Sequence, residues 1–211
     1  LAYYEDGALR SDLGVDVSSH QGAIDWPAVA ADGVDFAIVR AGNRGYTEGA
    51  LYADERFAEN VDGAKAAGLA TGVYFFSQAV TPDEAREEAD FVLGLLAGRP
   101  LDLPVAFDHE PVSDNAGRAN RLTGPELAAC ARAFCERIEQ AGYDTLVYGN
   151  KRDIARFGGD DLDGRPVWFA EYDMAVPTGQ FDFVMWQYTS AGTVAGISTR
   201  VDLNIRFAAA G

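Results

Sequence analysis

Patterns typical of strands and helices alternate along most of this chain, and this alternation limits its fold more than any other feature. Eight short apolar runs are predicted to be strands: residues 13–18, 35–41, 70–77, 104–107, 145–148, 167–172, 183–188 and 200–203. Helical patterns follow only the first five of them: one begins at residues 25–27, and the others cover residues 54–67, 81–96, 123–141 and 151–157. Strands that alternate with helices form parallel sheets.

The number of strands indicates whether such a sheet closes into a barrel or stays open. Eight parallel strands can close on themselves, so we predict an α/β fold with a TIM-like barrel. Because no helical pattern separates the last three strands, the barrel is expected to be irregular. A doubly wound open sheet is the alternative, but the Gly-x-Gly-x-x-Gly turn expected after its first strand is missing. No linker interrupts the pattern, and residues 1–211 are predicted to form a single domain.

The charge of the chain excludes two classes of partner. Its 33 acidic and 17 basic residues give a formal net charge of −16. Nucleic acids and anionic membranes repel such a chain, so neither is expected as a partner. No run of about 18 apolar residues is present, which also excludes membrane insertion by a helix.

Motifs for a cofactor, a metal ion or a nucleophilic serine are missing. The two Cys and two His lack the Cys-x-x-Cys and His-Glu-x-x-His spacings of zinc sites. No phosphate-binding loop, kinase signature or Gly-x-Ser-x-Gly elbow is present. Cys130 and Cys135 lie five residues apart in a predicted helix, on different faces, and are predicted to be free thiols.

Carboxylates follow the fourth predicted strand, where barrels carry their chemistry. Asp108 and Glu110 come directly after an apolar run. Residues two apart on a strand point to the same side, so both side chains are expected in the mouth of the barrel. Proximity and burial raise the pKa of such carboxyls, which suits one of them to general acid catalysis. The alternative is a solvated pair in a loop.

Two further acidic residues lie at other strand ends. Asp16 follows the apolar start of the first strand, and Asp202 lies in the last. Each could join the same site, or bind the backbone of a turn or strand end. His20 and His109 could shuttle protons, but strand alternation directs His109 away from its neighbouring carboxylates, and a structural role is favoured for both.

Aromatic residues gather near these strand ends and suggest a carbohydrate ligand. Aromatic rings can cover the apolar face of a sugar, and Tyr and Trp also offer a polar group. Some of these residues must instead belong to the core. Our candidates for substrate binding are Tyr74, Phe76, Tyr148, Trp168, Tyr172 and Trp186, together with Gln187.

The order of these segments resembles glycoside hydrolase family 25, the family of N-acetylmuramidase lysozymes. The resemblance extends from about residue 13 to residue 207 and rests on residues 14–22 (GVDVSSHQG), 24–26 (IDW), 36–41 (FAIVRA), 67–69 (AGL), 72–76 (GVYFF), 104–110 (PVAFDHE), 168–172 (WFAEY), 186–188 (WQY) and 201–204 (VDLN). His109 and Pro111 depart from the pattern, because apolar or small residues are expected beside the carboxylates.

The resemblance implies a flattened barrel of five β/α units followed by three strands, and a single catalytic domain. It implies cleavage of the β-1,4 bond between N-acetylmuramic acid and N-acetylglucosamine in peptidoglycan, without a cofactor. Glu110 would be the proton donor, Asp108 the second catalytic carboxylate, and Asp16 and Asp202 the other acidic residues of the site. The expected partner is the peptidoglycan glycan strand, the expected location is extracellular or at the cell wall, and a monomer is expected.

The role of Asp108 and the activity itself have alternatives at this stage. Asp108 could act as a nucleophile, as a base for water, or as the group that orients the substrate's own 2-acetamido group. We favour the last, because two groups from one strand approach the sugar from one side. An inactive module that binds cell-wall glycan and a chitin-directed hydrolase are the other candidate functions.

Overall fold

The computed structural model describes residues 1–113, 117–158 and 162–208. The strands in these ranges are β1 (Tyr4–Glu5), β2 (Ala8–Leu9), β3 (Ser11–Val17), β4 (Phe36–Arg44), β5 (Leu51–Ala53), β6 (Ala70–Phe76), β7 (Val105–Asp108), β8 (Thr145–Asn150), β9 (Val167–Ala170), β10 (Met185–Gly192) and β11 (Val201–Phe207). The helices are α1 (Trp26–Ala31), α2 (Phe57–Ala66), α3 (Pro82–Leu96), α4 (Gly124–Glu139) and α5 (Lys151–Phe157). Each of the eight predicted strands overlaps one of those observed.

Eight of these strands close into a barrel, which confirms the predicted fold class. Their order is β3-β11-β10-β9-β8-β7-β6-β4, and pairing between β3 and β4 closes the ring. The short strand β5 pairs antiparallel with the last residues of β4, and β1 and β2 form a separate hairpin. Neither of these additions was predicted, because their segments are short and largely exposed.

The last strand corrects the prediction of a wholly parallel sheet. Strand β11 runs antiparallel to both of its neighbours, β10 and β3. The segment between β10 and β11 is too short for the crossover of a dozen or more residues that a parallel return requires. The start of β11 therefore lies at the barrel end where the other seven strands finish.

Helix boundaries follow the predicted signals, with one shift. Asp25 accepts a hydrogen bond from Ala28 N–H at the start of α1, and Thr81 does the same for Glu84 N–H at the start of α3. Helix α2 begins at Phe57 instead of residue 54, because the Asp54 carboxylate is occupied by contacts outside the helix. A side chain engaged in this way favours a turn over a helical start.

Thr81 and Glu84 form a modified capping box at the start of α3. Thr81 Oγ1 accepts a hydrogen bond from Glu84 N–H at 3.2 Å, as the motif requires. The Glu84 carboxylate reaches back to the N–H of Val80, at 2.8 Å, instead of that of Thr81. It also binds Arg118, whose guanidinium lies 2.7 Å away and ties α3 to the loop that precedes α4.

The core has two layers, separated by the barrel wall. Buried side chains of alternate strand positions fill the interior: Phe36, Ile38, Leu103, Ala106, Leu146, Tyr148, Trp168, Ala170 and Met185. The intervening positions, such as Val105 and Phe107, pack outward against the helices. Cys130 and Cys135 are buried free thiols in α4, as predicted. No helix in the described ranges combines the length and apolarity needed to cross a membrane.

Candidate active site

A pocket of about 110 Å³ opens at the barrel end where the parallel strands finish. The residues that line it are Asp16, Tyr74, Asp108, Glu110, Tyr148, Trp168, Tyr172, Gln187 and Asp202. All four predicted carboxylates and five of the seven predicted binding residues therefore meet in one place. A larger groove of about 510 Å³ lies against the outer side of β10 and β11, and a mainly apolar surface lines it. We place the candidate site in the smaller pocket because the carboxylates are there.

Asp108 and Glu110 share the inner side of the barrel at the end of β7. Asp108 is buried, and its Oδ1 has no hydrogen-bond partner. Burial, followed by the charges of Glu110, Asp16 and Asp153, raises the pKa of Asp108 well above its usual range. Burial first, and then the charges of Asp153 and Asp202, raise the pKa of Glu110 to about 7. A carboxyl with this pKa can hold a proton near neutral pH and release it during a reaction.

Asp16 and Asp202 come from neighbouring strands and form a second acidic pair. The antiparallel register of β3 and β11 places them directly opposite each other. Asp16 Oδ2 accepts hydrogen bonds from Gln187 Nε2 and Asn204 Nδ2, both at 2.8 Å. Burial and the charge of Asp202 raise the pKa of Asp16 to about 8, and burial also raises the pKa of Asp202.

Gln187 fixes two of the aromatic side chains through its carbonyl oxygen. Tyr148 Oη donates to Gln187 Oε1 at 2.8 Å, and Tyr172 Oη donates to the same atom at 2.7 Å. Because Gln187 also donates to Asp16, its amide links the aromatic wall to the acidic pair. Tyr172 remains partly exposed and offers a ring face at the rim of the pocket.

Trp168 is a buried residue that lines the pocket. Its Nε1 donates to Asn204 Oδ1 at 2.8 Å, which satisfies the one polar atom of the indole. The ring of Tyr148 meets it edge to face, with centroids 4.7 Å apart, and the ring of Tyr74 does so at 6.2 Å. These contacts fix the orientation of the indole and join three aromatic residues of the pocket lining.

Two predicted binding residues do not line the pocket. Trp186 is buried on the outer side of β10, where its Nε1 donates to the carbonyl oxygen of Glu171 at 2.8 Å. Its neighbour Gln187 faces inward, and adjacent strand residues cannot both do so. Phe76 follows Tyr74 on the inner side of β6 and is paired in register with Asp108, but it lies outside the lining residues.

The two histidines lie outside the pocket. His109 is completely buried and turns away from Asp108 and Glu110, as strand alternation predicted. Its Nδ1 lies 3.3 Å from the carbonyl oxygen of Ser77. His20 is exposed in a short 3₁₀ turn that follows β3.

Two charged residues that act on the site were not predicted from the sequence. Asp153, in the first turn of α5, is completely buried, and neither of its carboxylate oxygens has a hydrogen-bond partner. Arg40 follows the apolar part of β4, pairs in register with Tyr74, and is held by Asp54 at 2.8 Å. Arg40 is a charged residue near the end of the apolar predicted strand 35–41, and this position could have identified it. Asp153 carries no such signal, because only the packing of α5 against the barrel brings it near Glu110.

The described residues offer no evident metal site. Within residues 1–113, 117–158 and 162–208, no group of three or more His, Cys, Asp or Glu side chains has an arrangement that could hold a metal ion. In the pocket, Asp16 is held by the neutral amides of Gln187 and Asn204.

Comparison with known proteins identifies the family to which this pocket belongs. The model of the glycosyl hydrolases family 25 matches residues 15–197. The chain belongs to glycosyl hydrolase family 25. The resemblance found from sequence motifs is therefore confirmed. The matched range includes Asp16, Asp108 and Glu110, and it ends before Asp202.

Curated relatives of this family 25 chain include two lysozymes. The autolytic lysozyme of Clostridium acetobutylicum is 31% identical over 195 residues, which cover 90% of this chain and 54% of that protein. Lysozyme M1 of Streptomyces globisporus is 28% identical over 203 residues, which cover 90% of this chain and 66% of that protein. The chain thus spans about half to two thirds of the length of these relatives.

Solved structures agree with the barrel assignment for this family 25 chain. The bacterial lysozyme from Streptomyces coelicolor superposes with a TM-score of 0.72 at 26% identity, covering 94% of this chain and 93% of that one. The Clostridium perfringens spore cortex lytic enzyme SleM gives a TM-score of 0.81 at 26% identity, covering 93% of this chain and 67% of that one. A family 25 glycosyl hydrolase from Bacillus anthracis, at 20% identity, shares the fold with a TM-score of 0.79.

Proposed function

We propose that this protein hydrolyses peptidoglycan at the β-1,4 bond between N-acetylmuramic acid and N-acetylglucosamine. The observation that carries the proposal is Glu110, a carboxyl with a pKa of about 7 in a pocket that also holds Asp108, Asp16 and Asp202. Membership of family 25 and the two lysozyme relatives support the substrate class. Residues 1–211 would act as one catalytic domain, as a monomer and at the cell wall, outside the cytoplasm.

Glu110 is the general acid of the proposed reaction. It gives its proton to the glycosidic oxygen as the bond to the anomeric carbon breaks, so the leaving sugar departs as a neutral alcohol. The proton must be present in the resting enzyme, and a pKa of about 7 supplies it in neutral and weakly acidic solution. The sugar then carries an oxocarbenium-like charge, which the surrounding carboxylates stabilise.

Asp108 orients the 2-acetamido group of the substrate in this proposal. Its Oδ1 is buried and has no protein partner, so it is available to accept a hydrogen bond from the amide N–H of the sugar. Asp108 also shares one side of β7 with Glu110, whereas direct displacement needs groups on opposite faces of the sugar ring. The acetamido oxygen would attack the anomeric carbon as the glycosidic bond breaks, which forms a cyclic intermediate. Water would then open this intermediate with retention, and the Glu110 carboxylate would take the proton from that water.

Tyr74, Tyr148, Trp168 and Tyr172 form the sugar-binding wall, and Gln187 holds that wall in place. Asp16 and Asp202 face it across the pocket, where their carboxyls can accept or share hydrogen bonds with sugar hydroxyls. Phe76 and Trp186 do not line the pocket, and their role in substrate binding stays a prediction.

The first experiment compares wild type with Glu110→Gln on purified peptidoglycan, with reducing ends measured and products analysed by mass. Release of muramic-acid reducing ends by the wild type, reduced at least about 100-fold in the variant, supports the proposal. Glu136→Gln removes an exposed carboxylate of α4 and is the matched control that should keep full activity. Binding of cell wall without any release would favour an inactive binding module, and release from chitin oligomers alone would favour a chitin-directed enzyme.

A second experiment tests the role of Asp108. A thiazoline analogue of N-acetylglucosamine mimics the cyclic intermediate and should inhibit competitively if the acetamido group attacks. A 2-fluoro sugar with a good leaving group should instead trap a covalent ester on Asp108 if that residue is the nucleophile. Mass spectrometry of the intact protein distinguishes these outcomes.

A further inference from the structure

Two residues that follow β6 hold the main chain at the end of β7. The N–H of Ser77 donates to the carbonyl oxygen of Asp108 at 2.7 Å. Nε2 of Gln78 donates to the carbonyl oxygen of Glu110 at 3.1 Å. Ser77 and Gln78 are both completely buried. The backbone on each side of His109 is therefore fastened to the neighbouring loop.

His109 adds a third contact to this attachment. Burial lowers the pKa of His109 to about 4, so its imidazole is neutral near pH 7 and carries a single ring proton. The Nδ1 atom lies 3.3 Å from the carbonyl oxygen of Ser77, and a carbonyl oxygen can only accept. Nδ1 therefore carries the proton and donates it, so Ser77 both donates to the β7 end and accepts from it.

A buried ion pair fixes Ser77 and Gln78 from the other side. Glu88, on α3, accepts from Ser77 Oγ at 2.6 Å and from Arg44 Nε at 2.8 Å. Gln78 follows Ser77 directly in the chain, so the bond from Ser77 to this carboxylate also restrains Gln78. Breaking a buried, fully paired carboxylate is costly, so the loop has little freedom to move. A continuous set of contacts thus runs from α3 to the backbone of Glu110.

We propose that Gln78 is a positioning residue, which holds the main chain of Glu110 so that its carboxyl points at the glycosidic oxygen. The inference rests on the function proposed above. In the ranges that the structure describes, Gln78 is the one side chain that hydrogen-bonds to the main chain of Glu110. A general acid must lie within hydrogen-bond reach of the atom it protonates. A misplacement of about 1 Å can lower the rate about 100-fold.

The test compares Gln78→Met with wild type in the intact chain. Methionine has a similar length and volume but cannot donate a hydrogen bond. We expect kcat to fall by about 10- to 100-fold while KM changes less than about two-fold, because substrate binding does not depend on the direction of the Glu110 carboxyl. Tyr143→Phe is the matched control, since it removes one side-chain hydrogen bond to the backbone, to Arg99 O at 2.9 Å, away from the pocket. It should lower the melting temperature without changing kcat.

Gln78→Glu provides a second variant with a readout that a purely structural role would not move. A protonated glutamic acid can donate to the Glu110 carbonyl oxygen, whereas an ionised glutamate repels it. The ratio of the activity of Gln78→Glu to that of wild type should therefore be close to one at pH 5. As the pH rises to 8, this ratio should fall towards the ratio found for Gln78→Met. If Gln78→Met does not fold, this pH-dependent rescue carries the test alone.

The outcomes separate this inference from the proposed function. An inactive wild type would contradict the proposed function itself. A different result would overturn the positioning role alone. In that result wild type is active and Glu110→Gln is inactive, but the kcat of Gln78→Met lies within two-fold of wild type and Gln78→Glu shows no pH-dependent difference from wild type.

Discussion

Asp16 and Asp202 lie directly opposite each other on the antiparallel strands β3 and β11, and both line the pocket. Because like charges repel strongly in a buried site, two neighbouring carboxyls there favour a state in which one of them keeps a proton. Burial raises the pKa of Asp16 to about 8, so the pair holds this proton through the neutral range. The pair therefore contributes about one negative charge to the pocket instead of two.

The proton held by this pair predicts that Asp16→Asn stabilises the fold at neutral pH while it impairs activity. An acid whose pKa rises on folding stabilises the folded state below its unfolded value, near 3.8, and this contribution is lost as the pH rises through about 8. Asparagine does not titrate, keeps an acceptor for Gln187 and Asn204, and offers Asp202 an N–H donor. We expect the unfolding free energy to exceed that of wild type by on the order of 2 kcal/mol at pH 8.

Urea unfolding of both proteins at pH 4, 6 and 8 measures this difference. The unfolding free energy of Asp16→Asn should exceed that of wild type least at pH 4, and the difference should grow with pH. Two parallel stability curves would mean that Asp16 is not protonated in the folded protein at neutral pH, and the account of the pair would be wrong.

The charge of Asp153 predicts the pH dependence of activity. Glu110 must be protonated to act as an acid, so the activity should fall as the pH rises through about 7. After burial, the charge of Asp153 is the next cause of that high pKa, and Asp153→Asn should move the alkaline limb of kcat/KM to lower pH. A shift of about one pH unit corresponds to an interaction of about 1.4 kcal/mol.

A pH–rate profile of wild type and Asp153→Asn on the same peptidoglycan checks this prediction. The acidic limb should move less than the alkaline one, because the charge of Asp153 acts on Glu110 more strongly than that of Asp202 does. An alkaline limb that stays in place would show that the charge at residue 153 does not act on the catalytic acid.

The sequence predicted the barrel and most of the pocket, because both depend on strand alternation. Asp108 and Glu110 point to the same side at the end of β7, because side chains two residues apart on a strand do so. The prediction used this same rule. The same rule, applied to Trp186 and Gln187, could have excluded one of the two as a pocket residue. The position of Asp202 depends on the reversed direction of β11, which follows from a short connection and not from an apolar pattern.

Tertiary packing placed Asp153 and Gln78 near the site, and no local pattern indicates either residue. Asp153 reaches the pocket only because α5 packs on the end of β8 and Gly149 leaves room for it, with an added Cβ there 3.0 Å from Asp153 Cβ. Gln78 lies in a loop that becomes important only when β6 and β7 pair. Contacts between segments far apart in sequence are not encoded in the periodicity of either segment.

Two glycine substitutions should change stability in opposite directions, because one glycine is closely packed inside the barrel and the other, in a helix, has open space around it. A Cβ at Gly14 would lie 2.2 Å from the ring of Phe36, in an interior that strands surround. Gly14→Ala should therefore lower the unfolding free energy by about 1–3 kcal/mol or more. A Cβ at Gly94, in α3, would meet no atom within 4 Å, and Gly94→Ala should raise the unfolding free energy by about 0.5–1 kcal/mol. Chemical denaturation of the two variants beside wild type measures both effects, and equal changes in the two would contradict the packing argument.

The net charge of −16 predicts how salt changes the rate on anionic cell walls. Repulsion between the enzyme and such a wall extends about 30 Å at 0.01 M salt and about 10 Å at 0.1 M, so added salt should speed their encounter. We expect kcat/KM on walls that carry anionic polymers to rise several-fold between these concentrations. The same peptidoglycan stripped of those polymers is the control, and its hydrolysis should change much less. A rate that falls steadily with salt on both substrates would show that attraction between local charges, and not repulsion by the whole chain, governs the encounter.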